Sequence, residues 1–191
     1  MSPKRILAVG GSTRPASASE RALLVAVSEV QRLGADVTVM VGRDLMLPLY
    51  DTETTERSEG AVRLVEAMRE CDGLIVSCPA YHGTVSGMMK NALDYAEDLA
   101  TDSRPYLEGR AFGAISVAYG WQAAVSTLVH LRGVGHALRA WPTPLGASLN
   151  AAVTDLDDPD EPARTALTTI AGQVVAFAAA HGAVAQTPAS R

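Results

Sequence analysis

The sequence predicts an α/β protein: a doubly wound, five-stranded parallel sheet with helices on both faces. Three observations lead there. Short apolar runs alternate with longer stretches of helical period, five times in succession, which is the pattern of consecutive βα units. The clearest of the short runs are continuously apolar, as expected of strands buried on both faces. The length of 191 residues suits one domain, large enough for its core to bury roughly 70% of the surface an unfolded chain exposes.

In order along the chain, Ile6–Val9 is the first strand and ends in Gly10-Gly11. The next segment, 21–33, puts Leu23, Val27, Val30 and Leu33 on one helical face, and Gly34 closes it. Val37–Val41 is the second strand, followed by a loop rich in Thr, Asp and Glu. A second amphipathic helix over 59–70 uses Val62, Leu64, Val65 and Met68. The third strand, 74–78, stops at Pro79, and a third helix over 86–99 turns Met88, Met89, Ala92, Leu93 and Ala96 inward. Strand four is 111–117 and helix four 123–138. A short strand at 140–143 contains Pro142, which fits a sheet edge where a missing N–H is tolerated. The last helix is expected over 162–180, with Pro162 in its first turn and the acidic stretch 155–161 before its positive end. Residues 1–182 form the domain, and residues 183–191, small and polar, are expected as a flexible C-terminal tail.

Composition narrows the function. Apolar residues make up 48% and charged residues 19%, a globular rather than a disordered balance. The net charge is −5 with no basic run, so the positive patch that nucleic acid or an anionic membrane surface needs is missing, and neither is expected as a partner. Cys71 and Cys78 cannot make a disulfide framework or a paired zinc motif, and both read as buried core thiols. The N-terminal apolar run is too short for a secretory signal or a membrane span, so a soluble cytoplasmic protein is expected.

In an open α/β sheet the ligand sits beyond the carboxyl ends of the strands, near the point where strand order reverses. Three loops qualify. The first, Gly11 to Ser19, brings four hydroxyls, the Arg14 guanidinium and the N–H groups of a helix start together, a donor set suited to a phosphate monoester. It has neither the Walker A nor the GxGxxG spacing. The bland alternative is an N-capped helix with an incidental arginine. The second loop, Pro79 to Gly87, offers Tyr81 and His82 as flat faces beside a Pro/Gly turn. Lys90 and Asp94 beyond it also read as an i,i+4 ion pair on a solvated face. The third, Ala118-Tyr119-Gly120-Trp121-Gln122, concentrates two aromatics in a chain that is 5% aromatic, the alternative being aromatics that cap the core. Together the loops describe a phosphate cradle beside a slot for a planar heterocycle.

These residues resemble a known family. Leu7 to Arg14 with Ser17 and Ser19 is similar to the GSxRxxSx(N/S) phosphate loop of the NADPH-dependent FMN reductases. Asp44-Leu45 with Pro48-Leu49-Tyr50-Asp51 resembles that family's DL…LPxYD segment, and Pro79-Ala80-Tyr81, Gly87, Lys90-Asn91 and Leu93-Asp94 match its PxYxxxxxGxxKNxLD signature. The resemblance covers residues 4 to 180 and implies a flavodoxin-like fold with strand order 2-1-3-4-5. It assigns Ser12, Arg14, Ser17, Ala18 and Ser19 to the FMN phosphate. Pro79, Ala80, Tyr81, His82 and Gly83 would line the ribityl chain and isoalloxazine, and Ala118, Tyr119 and Gly120 would contact the far edge of the ring. Two positions depart from the pattern: Ala80 stands where the quinone- and chromate-reducing branch carries Glu, and Ala118-Tyr119-Gly120 replaces a Ser-Gly-Gly type turn.

The activity so implied is hydride transfer from NADPH or NADH to flavin N5, with the chemistry supplied by the cofactor and no catalytic side chain required. FMN is then either a held group or a substrate that leaves as FMNH2 for a partner flavin-dependent monooxygenase. The alternatives are an FMN-containing reductase of quinones, azo dyes or metal oxyanions and, from another class, a flavodoxin-type electron carrier. A homodimer or homotetramer is expected as well, because Met88, Met89, Leu93 and Tyr95 on the third helix and Val125, Leu128, Val129 and Leu131 on the fourth spread over more than one face. Family members commonly pair through these two helices.

Overall fold

Residues 2–184 are described by a computed structural model. The sheet is built from β1 (Arg5–Gly10), β2 (Asp36–Val41), β3 (Gly73–Tyr81), β5 (Ala111–Ala118), β6 (Trp141–Pro142) and β7 (Ala147–Asn150), all parallel, with β4 (Thr84–Val85) folded back on β3. Its order is β2-β1-β3-β5-β6, and β7 continues the edge alongside the second half of β5. This is the flavodoxin-like arrangement, with the fifth position split in two. The expected strand at 140–143 shrinks to β6, and the larger piece, β7, lies where the sequence showed no strand. The Trp141 and Thr143 N–H groups donate to the Arg110 and Phe112 carbonyls (2.8 and 3.1 Å), so Pro142 falls on the open-edge side where its missing N–H breaks no ladder bond. The Leu145 N–H then goes to the Gln173 side chain (3.1 Å) and the Thr143 hydroxyl to the Leu145 carbonyl (2.7 Å), which turns the chain out before it rejoins the edge.

The helices are α1 (Ala18–Arg32), α2 (Glu59–Glu70), α3 (Gly87–Asp94), α4 (Trp121–Ala137) and α5 (Glu161–Val184). The α1 helix starts three residues ahead of the expected Arg21 because Ser17 caps it, accepting from the Glu20 N–H at 3.1 Å. The α5 helix runs past Ala180, so residues 183 and 184 are helical; the rest of the expected tail, 185–191, lies outside the described residues.

The two sides of the sheet carry separate cores. Leu7, Val9, Leu74, Val76 and Phe112 face α2, α3 and α4, while Ile6, Ala8, Ile75, Ile115 and Val117 face α1 and α5. Strand side chains alternate between the two, and both faces are covered, so the runs are apolar without interruption. By length and composition the 161–181 part of α5 could cross a membrane (mean hydropathy 1.2), but its Leu167, Ile170 and Val174 are buried in this second core. Both cysteines are free and buried; burial pushes the Cys71 thiol up to about 11 and raises Cys78 as well.

The third helix corrects one expectation. Met89, Leu93 and Tyr95 are buried and Met88 is half-buried, so this region has no spare apolar face. The loop after β2 covers it. Tyr50 meets Tyr95 edge to face at 5.2 Å, the Tyr95 hydroxyl donates to the Pro48 carbonyl (3.0 Å), and Arg57 makes a two-pronged ion pair with Asp98 (2.7 and 2.8 Å). That guanidinium holds the Asp98 carboxyl below the usual carboxylate range.

Candidate functional site

The strands β1, β3 and β5 end side by side. The chain leaves β1 for a helix on one face of the sheet and β3 for a helix on the other, so a crevice opens between them. Gly11 starts the first loop with its N–H on the Ser77 carbonyl (2.9 Å) and its carbonyl accepting from the Ser86 hydroxyl (2.9 Å). A Cβ on Gly11 would stand 2.7 Å from the Met89 Cβ, so glycine is required where α3 passes beneath the loop.

The loop then turns back through Ala16 at φ 48°, a left-handed conformation uncommon for a residue with a side chain. Its hydroxyls are organised by the main chain. Ser12 Oγ accepts from the Arg14 N–H (3.2 Å), Ser17 Oγ caps α1, and Ser17 and Ser19 hydroxyls lie 3.1 Å apart. The N–H of Glu20 goes to the Ser17 side chain and that of Arg21 to the Ser17 carbonyl, which leaves Ala18 and Ser19 as open donors of the first turn. The exposed Arg14 guanidinium makes no hydrogen bond or ion pair among the described residues.

The second loop is a hairpin rather than a simple turn. Ala80 and Tyr81 pair antiparallel with Val85 and Thr84 around His82 (φ 53°) and Gly83 (φ 78°), the two left-handed residues of a type I′ turn. The Ser126 hydroxyl donates to the Gly83 carbonyl (2.9 Å) and ties the tip to α4. In the third loop Tyr119 is 75% and Trp121 55% exposed, so these aromatics do not cap the core.

A cleft of about 180 Å³ joins the three loops. It is lined by Ser12, Arg14, Ser17, Ala18, Ser19, Pro79, Ala80, Tyr81, Ala118 and Tyr119 among the expected residues. His82, Gly83 and Gly120 do not line it: the first two form the hairpin tip and Gly120 precedes α4. Val117 and Ala151 also line it and were not singled out from the sequence. Ala151 follows β7, so finding it required the split edge strand; the signal was the run Gly146 to Val153, which begins two residues after Pro144. Arg14 is the one charged residue of this lining. Lys90 pairs with Asp94 on an exposed helix face, the bland reading of that motif. Its neighbour Asn91 instead holds the loop after β2, accepting from the Tyr50 N–H (2.8 Å) and donating to the Pro48 carbonyl (2.9 Å).

A family model described as NADPH-dependent FMN reductase matches residues 4–154. The chain is 28% identical over 156 residues, 82% of its own length, to the NADPH-dependent FMN reductase ArsH of Acidithiobacillus ferrooxidans. It is 30% identical over 83 residues, 43% of its length, to an NADPH azoreductase of Bacillus sp. (strain OY1-2). It spans 64% and 43% of the lengths of these two relatives. The fold is similar to that of FerB, a flavoenzyme NAD(P)H:(acceptor) oxidoreductase from Paracoccus denitrificans, with a TM-score of 0.76 and 18% identity over 93% of this chain and 98% of that one.

Proposed function

The chain belongs to the NADPH-dependent FMN reductase family, and from that premise we propose that it binds FMN in the cleft at the strand ends and oxidises NAD(P)H there. The observation that carries this reading is the phosphate-sized donor set: an unpartnered guanidinium, three serine hydroxyls and the open N–H groups of a helix start on one side of the cleft. Such a set fits a dianionic monoester. Beyond it the walls are small residues, main chain and the Tyr81 and Tyr119 rings, which suits a flat heterocycle. Bound FMN would supply the hydride-accepting chemistry that no side chain here carries. The chain's part is to fix the phosphate through Arg14 and Ser12, orient the ring between the second and third loops, and shield it with Tyr81 and Tyr119. The buried, unpaired thiols support a cytoplasmic location.

The absorption spectrum of the purified protein, followed by NAD(P)H addition, tests this. A bound flavin that bleaches rapidly is expected. A colourless protein that consumes NADPH only with added FMN would favour release of FMNH2 to a partner monooxygenase. Bound flavin that stays oxidised would point to an electron carrier and overturn the reductase reading.

We also propose that a second copy covers α4, forming a homodimer or homotetramer. Val125 and Val129 are 50% and 63% exposed one turn apart with Leu128 half-buried beside them, whereas Leu131 is buried. A charge belongs at Val129 rather than at Leu93, which lies in the core. By light scattering, Val129→Glu should run near the 20.0 kDa of one chain and the wild type at a multiple of it. A monomeric wild type that binds FMN fully at micromolar concentration overturns this pairing.

A further inference from the structure

The phosphate loop turns back over 14–17, and what holds that turn lies outside the cleft. Pro15 fixes the first central place of the turn, and Ala16, at φ 48°, occupies the second. Proline followed by a positive φ is the order of a type II turn, whose second central place normally takes glycine. An alanine there is strained, and such strain persists only where the surrounding structure overrides it. The outer residues of the same turn are Arg14 and Ser17, and both line the cleft. The shape of the turn therefore sets where the Arg14 guanidinium stands relative to the Ser17 hydroxyl and the open N–H groups of α1.

We propose that Arg21 is the positioning residue of this turn: it stands outside the cleft lining and holds the phosphate donors in their binding arrangement. The proposal rests on the FMN-binding reading above and adds to it a residue that the ligand does not meet. Arg21 grips the turn twice. Its main-chain N–H donates to the Ser17 carbonyl (2.9 Å), and its guanidinium Nη1 donates to the Ala16 carbonyl (3.2 Å). The second bond falls on the strained residue itself. The Arg21 Nε is buried, with Asp157 Oδ1 at 3.4 Å as its counter-charge and no hydrogen bond among the described residues. A guanidinium on a helix surface ordinarily turns that N–H to water, so this one is held back by its two partners.

Asp157 is itself fixed. Leu156 is buried in the core shared by α1 and α5, the Asp157 N–H donates to the Asp155 carboxylate (2.9 Å), and Asp158 pairs with Arg164 (2.9 Å). The same segment begins at Ala151, which lines the cleft, and runs into α5. Arg21 thus braces the phosphate loop against the stretch that carries another wall residue. The pair is largely exposed on its Asp157 side (72%), and an ion pair of that kind contributes little to the stability of a fold. Its consequence belongs to the geometry of the loop.

The test separates positioning from plain stability. Alanine forms helix at least as well as arginine, so Arg21→Ala leaves α1 intact. FMN should bind this variant about tenfold more weakly, the order expected when binding must restore one left-handed residue, and riboflavin within about twofold of the wild type. Both are read by flavin fluorescence. Arg21→Lys keeps a donor and should restore part of the FMN affinity, and Asp157→Asn should show a smaller loss of the same kind. Glycine adopts a positive φ without strain, so Ala16→Gly added to Arg21→Ala should recover most of the lost affinity. Equal losses for FMN and riboflavin, an unchanged FMN affinity, or no recovery by Ala16→Gly overturns the proposal. Should Arg21→Ala not fold, the same comparison of the two flavins on Asp157→Asn decides. If the wild type does not prefer FMN to riboflavin, the phosphate reading has failed instead. Amide exchange over 12–19 in the ligand-free proteins then decides for Arg21: faster exchange in Arg21→Lys supports the brace, and unchanged exchange overturns it.

Discussion

In the Arg14→Ala protein, FMN should bind about 10- to 150-fold more weakly while riboflavin binds nearly as in the wild type. The guanidinium is exposed and unpartnered, so its removal leaves no orphaned group and no cavity. What is lost is a charge-assisted hydrogen bond to the phosphate, worth about 1.5–3 kcal/mol. At about 1.4 kcal/mol per tenfold, that gives the expected range. Arg14→Lys should recover part of the affinity, since it keeps the charge and loses the planar fork. Ser17 would be a poorer probe. Its hydroxyl caps α1, so Ser17→Ala would cost about 1 kcal/mol of fold stability along with any ligand contact. Titrating both flavins into both proteins by fluorescence settles the point. Equal losses for FMN and riboflavin would show that Arg14 does not face the phosphate.

The first loop was legible in the sequence because its determinants are local. A strand that stops at Gly10-Gly11, a serine that caps the next helix and an arginine between them are all within a few residues. The features that escaped depend on long-range contacts or on weak local signals. His82-Gly83 is not the Asn-Gly pair that announces a type I′ turn, and the hairpin relies on Ser126 of α4 to hold its tip. The edge strand expected at 140–143 pairs only through Trp141 and Pro142, because the Leu145 N–H that would extend it goes to the Gln173 side chain, and β7 takes over alongside Ile115 to Ala118. On and just after α3, Met89, Leu93 and Tyr95 read as surplus apolar surface. They find cover in a loop some 40 residues earlier, held by Asn91 and the Arg57–Asp98 pair. Periodicity records that a residue is apolar, not which distant segment covers it.

Arg110 shows the same gap, and its replacement should have the largest effect on stability of any change considered. In sequence it is a charge directly before an apolar strand, and nothing local marks it as buried. In the structure it is 1% exposed, and its guanidinium donates to four main-chain carbonyls: Arg69 (2.7 Å), Cys71 (3.1 Å), Tyr106 (3.2 Å) and Glu108 (3.4 Å). It thereby ties the end of α2 and the turn before β3 to the segment that enters β5. Burial pushes its pKa below the usual guanidinium value. Arg110→Ala leaves a cavity and four carbonyls short of a donor, and should cost about 3–5 kcal/mol in urea unfolding. Arg110→Met fills the volume but supplies no donor, so it should recover the packing part only. Arg110→Lys cannot span the four acceptors, since an ammonium is a point donor and not a fork. The strand it anchors carries Ala118 at its other end, roughly 25 Å away at about 3.3 Å per residue. Folded Arg110→Met should therefore bind FMN with near wild-type affinity while melting at a lower temperature. A loss under about 1 kcal/mol for Arg110→Ala would mean that water replaces the guanidinium without penalty, and that the packing of the two segments does not depend on it.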